Sequence, residues 1–202
     1  MPNFNFGDKL SFDRNSMYLA LKSKNEEAYV RFVGGGNFDS KHFIQQDSKW
    51  VVTYCPRIMQ QKECSYCEKF YALKKQEKEE KDEKLKKELQ KQMRTFRPKI
   101  TFYYPVVDRM TEEAKIFKTV LSIRLYLEQE LEAGIKVTDF DYKFKRTENA
   151  GADYYSKTRL DSSMIKPLTE KEKKAVQKAK AFDLEEIVHG NDSSLELEAE
   201  IT

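Results

Sequence analysis

Four residues have the types and spacing of a metal site: His42, Cys55, Cys64 and Cys67 follow the pattern His-x12-Cys-x8-Cys-x2-Cys. A Cys-x2-Cys pair on a tight turn aims two sulfurs at one point, and a third thiolate with an imidazole completes the tetrahedron that zinc prefers. All four positions are then filled by protein, which leaves none for an activated water. One structural zinc ion is the expected cofactor. A thioredoxin-like redox pair at Cys64 and Cys67 is an alternative, set back by Ser65 and Tyr66 between them and by the lack of a helical start. Buried free thiols are another. The only other imidazole, His189, falls in an acidic stretch, which leaves His42 as the natural fourth ligand.

A second set of residues has the chemistry to hold a polyanion. Alternate side chains of a strand share a face, so Lys99, Thr101 and Tyr103 oppose Ile100, Phe102, Tyr104 and Val106. Likewise Asp141, Lys143 and Lys145 oppose Phe140, Tyr142 and Phe144, and Tyr155, Lys157 and Arg159 oppose Tyr154, Ser156 and Thr158. Arg31 shares a side with Tyr29. With Lys118 and Arg146, the predicted DNA-binding set is Arg31, Lys99, Tyr103, Lys118, Lys143, Lys145, Arg146, Tyr155, Lys157 and Arg159. Cations meet phosphates while rings stack on bases, a contact worth about 1–3 kcal/mol per base. Duplex DNA hides those base faces, so such a surface favours unpaired strands. The plainer alternative makes these tyrosines barrel core or rim and the lysines ordinary solvated groups.

The elements that must position these residues follow from periodicity. Residues 28–33 and 50–54 alternate like strands, which places the metal candidates on loops between strands. A short amphipathic piece surrounds Met17, Leu19 and Leu21. From Glu68 to about Arg94 the chain is rich in helix formers and free of Gly and Pro, with a thin apolar stripe of Phe70, Leu73, Leu85, Leu89 and Met93. This predicts one long, charged, mostly solvated helix, ended at Arg97-Pro98. Strands are expected at 99–107, 115–120, 140–146 and 153–160, with an amphipathic helix on Val120, Ile123, Leu127 and Leu131, closed by Gly134. The fold class is mainly β with helical insertions (α+β): an OB-fold-like Greek-key barrel, a small zinc-binding subdomain and a long charged helix. The expected division is an N-terminal segment at 1–27, an OB-like core at 28–168 with its zinc subdomain at about 37–96, a basic helical linker at 169–182, and an acidic, flexible tail at 183–202.

Composition narrows the function classes. The 202 residues are 35% charged, yet 12% aromatic with 11 Tyr and 13 Phe, too aromatic for a disordered chain. No stretch approaches a membrane span, and MPNFNFGDKL lacks the basic and then apolar regions of a signal peptide, so a cytoplasmic protein without membrane contact is expected. Three cysteines in a reducing compartment suit a metal better than a disulfide framework. The net charge of +3 hides an asymmetry: residues 183–202 carry seven acids and no Lys or Arg, which leaves +10 on the rest. A basic body with an acidic end suits a polyanion partner and a tail that competes with it, or else a tail that only solubilises.

With these motifs in place, the chain resembles the helix-destabilising single-stranded DNA-binding proteins of large tailed phages. The likeness rests on AYVRFVGG before the metal site, the His-x12-Cys spacing within KHFIQQDSKWVVTYC, the closing Cys-x2-Cys, and YYPVVDRMTEEAKIFK. It spans about residues 28–160 and extends to the acidic end. The resemblance implies an OB-fold core whose cleft holds single-stranded DNA, a structural zinc in a neighbouring subdomain, and an acidic C-terminus that recruits replication or recombination proteins. It also implies cooperative coating of DNA through a basic N-terminal arm, in a protein that is otherwise monomeric or weakly self-associating in the host cytoplasm. The chain departs from that pattern in residues 1–25, whose only cations are Lys9, Arg14, Lys22 and Lys24, and in its longer, more charged helix. The expected function is sequence-tolerant binding of single-stranded DNA in replication, recombination and repair. An RNA-binding zinc protein and a scaffold using the charged helix are the alternatives. No nucleophile, base and orienter stand at a suggestive spacing, so no enzymatic role is expected.

Overall fold

The fold comes from a computed structural model that describes residues 17–46, 49–147 and 155–189. In chain order the elements are β1 (Tyr18–Leu19), β2 (Glu27–Phe32), β3 (Asn37–Gln46), β4 (Lys49–Tyr54), α1 (Pro56–Gln60), α2 (Ser65–Glu79), α3 (Glu83–Phe96), β5 (Lys99–Asp108), β6 (Glu113–Thr119), α4 (Leu121–Glu132), β7 (Asp141–Arg146), β8 (Tyr155–Arg159), α5 (Glu170–Lys180) and α6 (Leu184–His189). The architecture is mixed α/β, with a large sheet and several helices. Two compact units divide the chain, one built from residues up to 34, 104–118 and 134–181, the other from 35–103, 119–133 and 182 onward. Strand β5 belongs to both, its first half in the second unit and its second half in the first.

In the first unit the strands run in the order β1-β6-β5-β2-β7-β8, with β1 parallel to β6. Alternation decides the inner face of β2, where Ala28, Val30 and Phe32 are buried. Phe32 lies edge-on to Tyr104 at 5.5 Å and to Tyr142 at 5.4 Å, and Phe117 meets Phe144 at 5.3 Å. Edge-on aromatic pairs of this kind add stabilisation beyond their buried area. A buried ion network joins other elements of this unit: Asp141 takes Arg31 at 2.7 Å and Arg109 at 3.2 Å, while Arg109 also reaches Glu172 of α5 at 2.6 Å. The capping box of Thr169 and Glu172 opens α5. Among the described residues no pairing joins β1 to β8, so this strand path is open and does not close into the barrel that the OB-fold-like expectation suggests.

In the second unit β3 pairs antiparallel with both β4 and the first half of β5. Two expectations change here. First, residues 37–46 form a ten-residue strand where the sequence suggests loop; its first half pairs with β5 and its second half with β4, which satisfies its backbone. Second, the predicted single helix over 68–94 is a hairpin of α2 and α3. Glu80 adopts an extended backbone, and the Asp82 carboxylate caps α3 by accepting from the backbone N–H groups of Lys84 at 2.7 Å and Leu85 at 3.3 Å. Half-buried positions recur at 70, 73 and 77 on α2 and at 86, 89, 93 and 96 on α3. Phe70, Leu73, Leu89 and Met93 of the thin apolar stripe therefore line a folded seam, with the Gln90 side-chain amide donating to Glu77 across it at 2.9 Å, while Leu85 stays exposed.

The acidic segment also starts with structure, since α6 occupies its residues 184–189; the rest of the predicted tail and the N-terminal residues before 17 lie outside the described residues. The piece around Leu19 is a strand, β1, because its backbone pairs with β6. Gly134 follows α4 with φ of 77°, the left-handed value that lets glycine close a helix. Among the described residues no helix is long and apolar enough to cross a membrane.

Candidate metal centre

Three elements of the second unit converge on one buried point. His42 sits mid-strand on β3, opposite Thr53 of β4, rather than on a loop. Cys55 follows β4 directly and heads α1, its backbone N–H donating to the Ser40 carbonyl at 2.8 Å. Pro56, in the first turn of α1, has no N–H to leave unpaired. Gln61, with φ of 55°, turns the chain back toward Cys64, which caps the start of α2 and leaves Cys67 in its first turn. The cysteine pair therefore does stand at a helix start.

The four ligand atoms all lie within 4.8 Å of one another, and all four residues are buried. Cys55 Sγ is 3.3 Å from Cys67 Sγ, and His42 Nε2 is 3.4 Å from Cys64 Sγ and 3.6 Å from Cys67 Sγ. A disulfide needs about 2.05 Å between sulfurs, so these thiols are unlinked. A zinc tetrahedron with bonds of about 2.3 Å to sulfur and about 2.0 Å to nitrogen has edges of about 3.5–3.8 Å, close to the spacings found. The donor set and geometry fit one structural zinc site.

The neighbours of the ligands suit that role. His42 Nδ1 lies 3.0 Å from the Phe96 carbonyl, where it donates its proton and leaves the Nε2 lone pair aimed at the sulfurs. Burial lowers the His42 pKa, against the Phe96 carbonyl that raises it, and so favours the neutral ring a metal requires. Burial, together with the Cys55 and Cys64 side chains, pushes the Cys67 thiol up to about 12. A cluster of sulfurs this crowded holds its thiolates only beside a cation. Ile58 and Tyr66 seal it, the Tyr66 ring lying 5.3 Å from the imidazole.

The residues predicted for DNA contact are not brought together in the same way. Tyr103 is 6% exposed, and its hydroxyl donates to buried Asp39 at 3.0 Å, so it is no stacking platform. Arg31 is tied to Asp141. Lys143 pairs with Glu27 at 2.9 Å and lies 5.0 Å over the Tyr29 ring, and Lys145 meets the same Glu27 at 3.4 Å. Register separates the rest: Lys143 faces Thr158 and Lys145 faces Ser156, whereas Lys157 faces Phe144 and Arg159 faces Tyr142. Directly paired residues share a face, so Tyr155, Lys157 and Arg159 project opposite to Lys143 and Lys145. Arg159 lies 5.0 Å over the Phe140 ring. Arg146 and Tyr155 are half-buried, and Lys118 is exposed.

Of the predicted set, Lys99 lies in the second unit beside a group on β3 and β4 that the sequence reading missed. Lys41, Phe43 and Gln45 of β3 share a face with Tyr54, Val52 and Trp50 of β4 and with Lys99 of β5, opposite the face that bears His42. Their signal was the alternation in Lys41-His-Phe-Ile-Gln45, obscured by reading that stretch as loop. No protein-family model matches the chain, and no curated protein matches it.

Proposed function

We propose that the chain binds single-stranded DNA with little sequence preference, as a zinc-stabilised binding protein rather than an enzyme. The observation that supports this best is a repeated pairing of cation and ring on the strands. Lys41 sits over Tyr54, Lys99 over Phe43, Lys143 over Tyr29 and Arg159 over Phe140, each at 4.5–5.0 Å from the ring centroid. Each pair puts a cation and a stacking surface within reach of one nucleotide, with Lys41 and Lys143 having to exchange Asp39 and Glu27 for the phosphate. The zinc site completes its coordination with protein ligands, which suits a structural part.

The phage helix-destabilising family remains the reading we favour for the chain, with an OB-type core whose strands are β2, β5, β6, β7 and β8. Replication and recombination proteins would be recruited by the acidic C-terminal segment. The test is a titration of oligo-dT over a salt series, with oligo-U and duplex DNA of equal length alongside. Tight dT binding that weakens with salt by about 0.7 log units per phosphate contacted is expected, with duplex much weaker. Equal affinity for oligo-U turns the reading to RNA, and no binding at low salt ends it.

A further inference from the structure

The face of the second unit opposite the metal sets the predicted contact Lys99 beside rings of β3 and β4 that the predicted set does not include. Pairing in register lines up Gln45 with Trp50, Phe43 with Val52 and Lys41 with Tyr54, and places Lys99 beside Lys41. Trp50 is 39% exposed, a large share for an indole on a strand. The other face of the same strands is pinned, because His42, Ser40 and Ile44 are buried there. The rings thus stand on a backbone held in place from behind.

Helix α6 takes one end of this face. The Asn37 amide donates to Glu185 at 2.8 Å and the Tyr54 hydroxyl donates to the Val188 carbonyl at 3.1 Å. Neither of these α6 contacts reaches the end bearing Phe43, Val52 and Trp50. Lys41 is already neutralised by Asp39 at 2.8 Å. Lys99 is not: its ammonium lies 4.5 Å over the Phe43 ring, and among the described residues it forms no ion pair. A second copy of the chain or an apolar partner covering this patch would bury an uncompensated charge, which is costly. A nucleotide would pair it, since the ammonium can swing off the ring to a phosphate while a base takes its place on the ring.

We propose that Trp50 and Phe43 form a base-stacking site for single-stranded DNA, with Lys99 as its phosphate contact. This rests on the function proposed above, and the test separates the two. Trp50 is the single tryptophan of the chain, so its emission reports this face alone. The full-length protein is titrated with fluorescein-labelled oligo-dT, read by anisotropy, and with unlabelled oligo-dT, read by Trp50 emission. Both signals should follow one isotherm. Trp50→Ala should weaken binding about tenfold or more, Trp50→Phe should keep most of it, and Lys99→Gln should reduce the salt slope by about 0.7. Zinc content checks that each variant is folded. If Trp50→Ala loses zinc, the parent titration and Lys99→Gln decide. Anisotropy that rises while Trp50 emission stays constant, or Trp50→Ala and Lys99→Gln binding like the parent, overturns this site and leaves the function standing. No anisotropy change at low salt overturns both. Trp50 emission that changes with protein concentration alone assigns the face to self-association and overturns the site.

Discussion

His42 shows how little freedom a ligand has once its neighbours are set. Its Nδ1 is committed to the Phe96 carbonyl, so Nε2 faces the sulfurs in only one tautomer. Cys64→Ser or Cys67→Ser should abolish stoichiometric zinc and lower the melting temperature, checked by metal analysis and calorimetry; unchanged melting of a zinc-free variant would contradict a structural metal. The lowered His42 pKa also sets a pH dependence. In the unfolded chain the ring takes a proton near its ordinary value of 6.5, while in the fold it stays neutral to lower pH. The unfolded state therefore binds more protons in that interval, and stability should fall as pH drops below about 6.5 and level off below the folded pKa. Proton competition for the thiolates steepens the loss. Melting curves between pH 7.5 and 5 check this, and His42→Ala should flatten the dependence. Tyr103 makes the opposite case. Because its hydroxyl serves buried Asp39, Tyr103→Phe should cost about 1 kcal/mol in a urea melt and leave oligonucleotide affinity unchanged.

The α2–α3 hairpin shows what a single side chain does for an element. Helix formers run through residues 76–88 but for Asp82, yet the helix stops at Glu80, because Asp82 offers α3 a cap and the folded seam half-buries apolar residues that a straight helix would leave in water. Asp82→Ala should destabilise the hairpin by about 1 kcal/mol. Amide exchange should rise at its tip, while zinc content holds, since the metal-bearing residues and Phe96 stand at the other end. Loss of zinc in that variant would mean that the hairpin folds as one unit with the metal centre.

Charge belongs to the whole chain. Seven acids beyond Phe182 stand against +10 elsewhere, and two of them, Glu185 and Glu186, lie in α6, which meets β3. On the proposed function, removing residues 190–202 should tighten oligo-dT binding at low salt, and removing 183–202 should tighten it further. Both gains should fade as salt rises, since the Debye length shrinks to about 10 Å at 0.1 M. Salt-independent affinities for all three forms would leave the acidic segment without a role in DNA binding.

The features legible in the sequence are those with a local cause. The strands of the first unit other than β1, and α4, follow from periods of two and of about 3.6 residues, within a residue or two of where they lie. The ligand set could be read from residue type and spacing, because few side chains bind zinc and a Cys-x2-Cys pair brings two together by itself. What was hidden depends on partners far along the chain. β3 is a strand because β4 and β5 pair with it, and Tyr103 is buried because Asp39 lies across the sheet. Lys157 and Arg159 point away from Lys143 and Lys145 because register, which alternation within one strand leaves undefined, sets Thr158 opposite Lys143. A shift of one residue exchanges the two faces of a strand, so the side on which each cation lies is settled by pairing, not by composition.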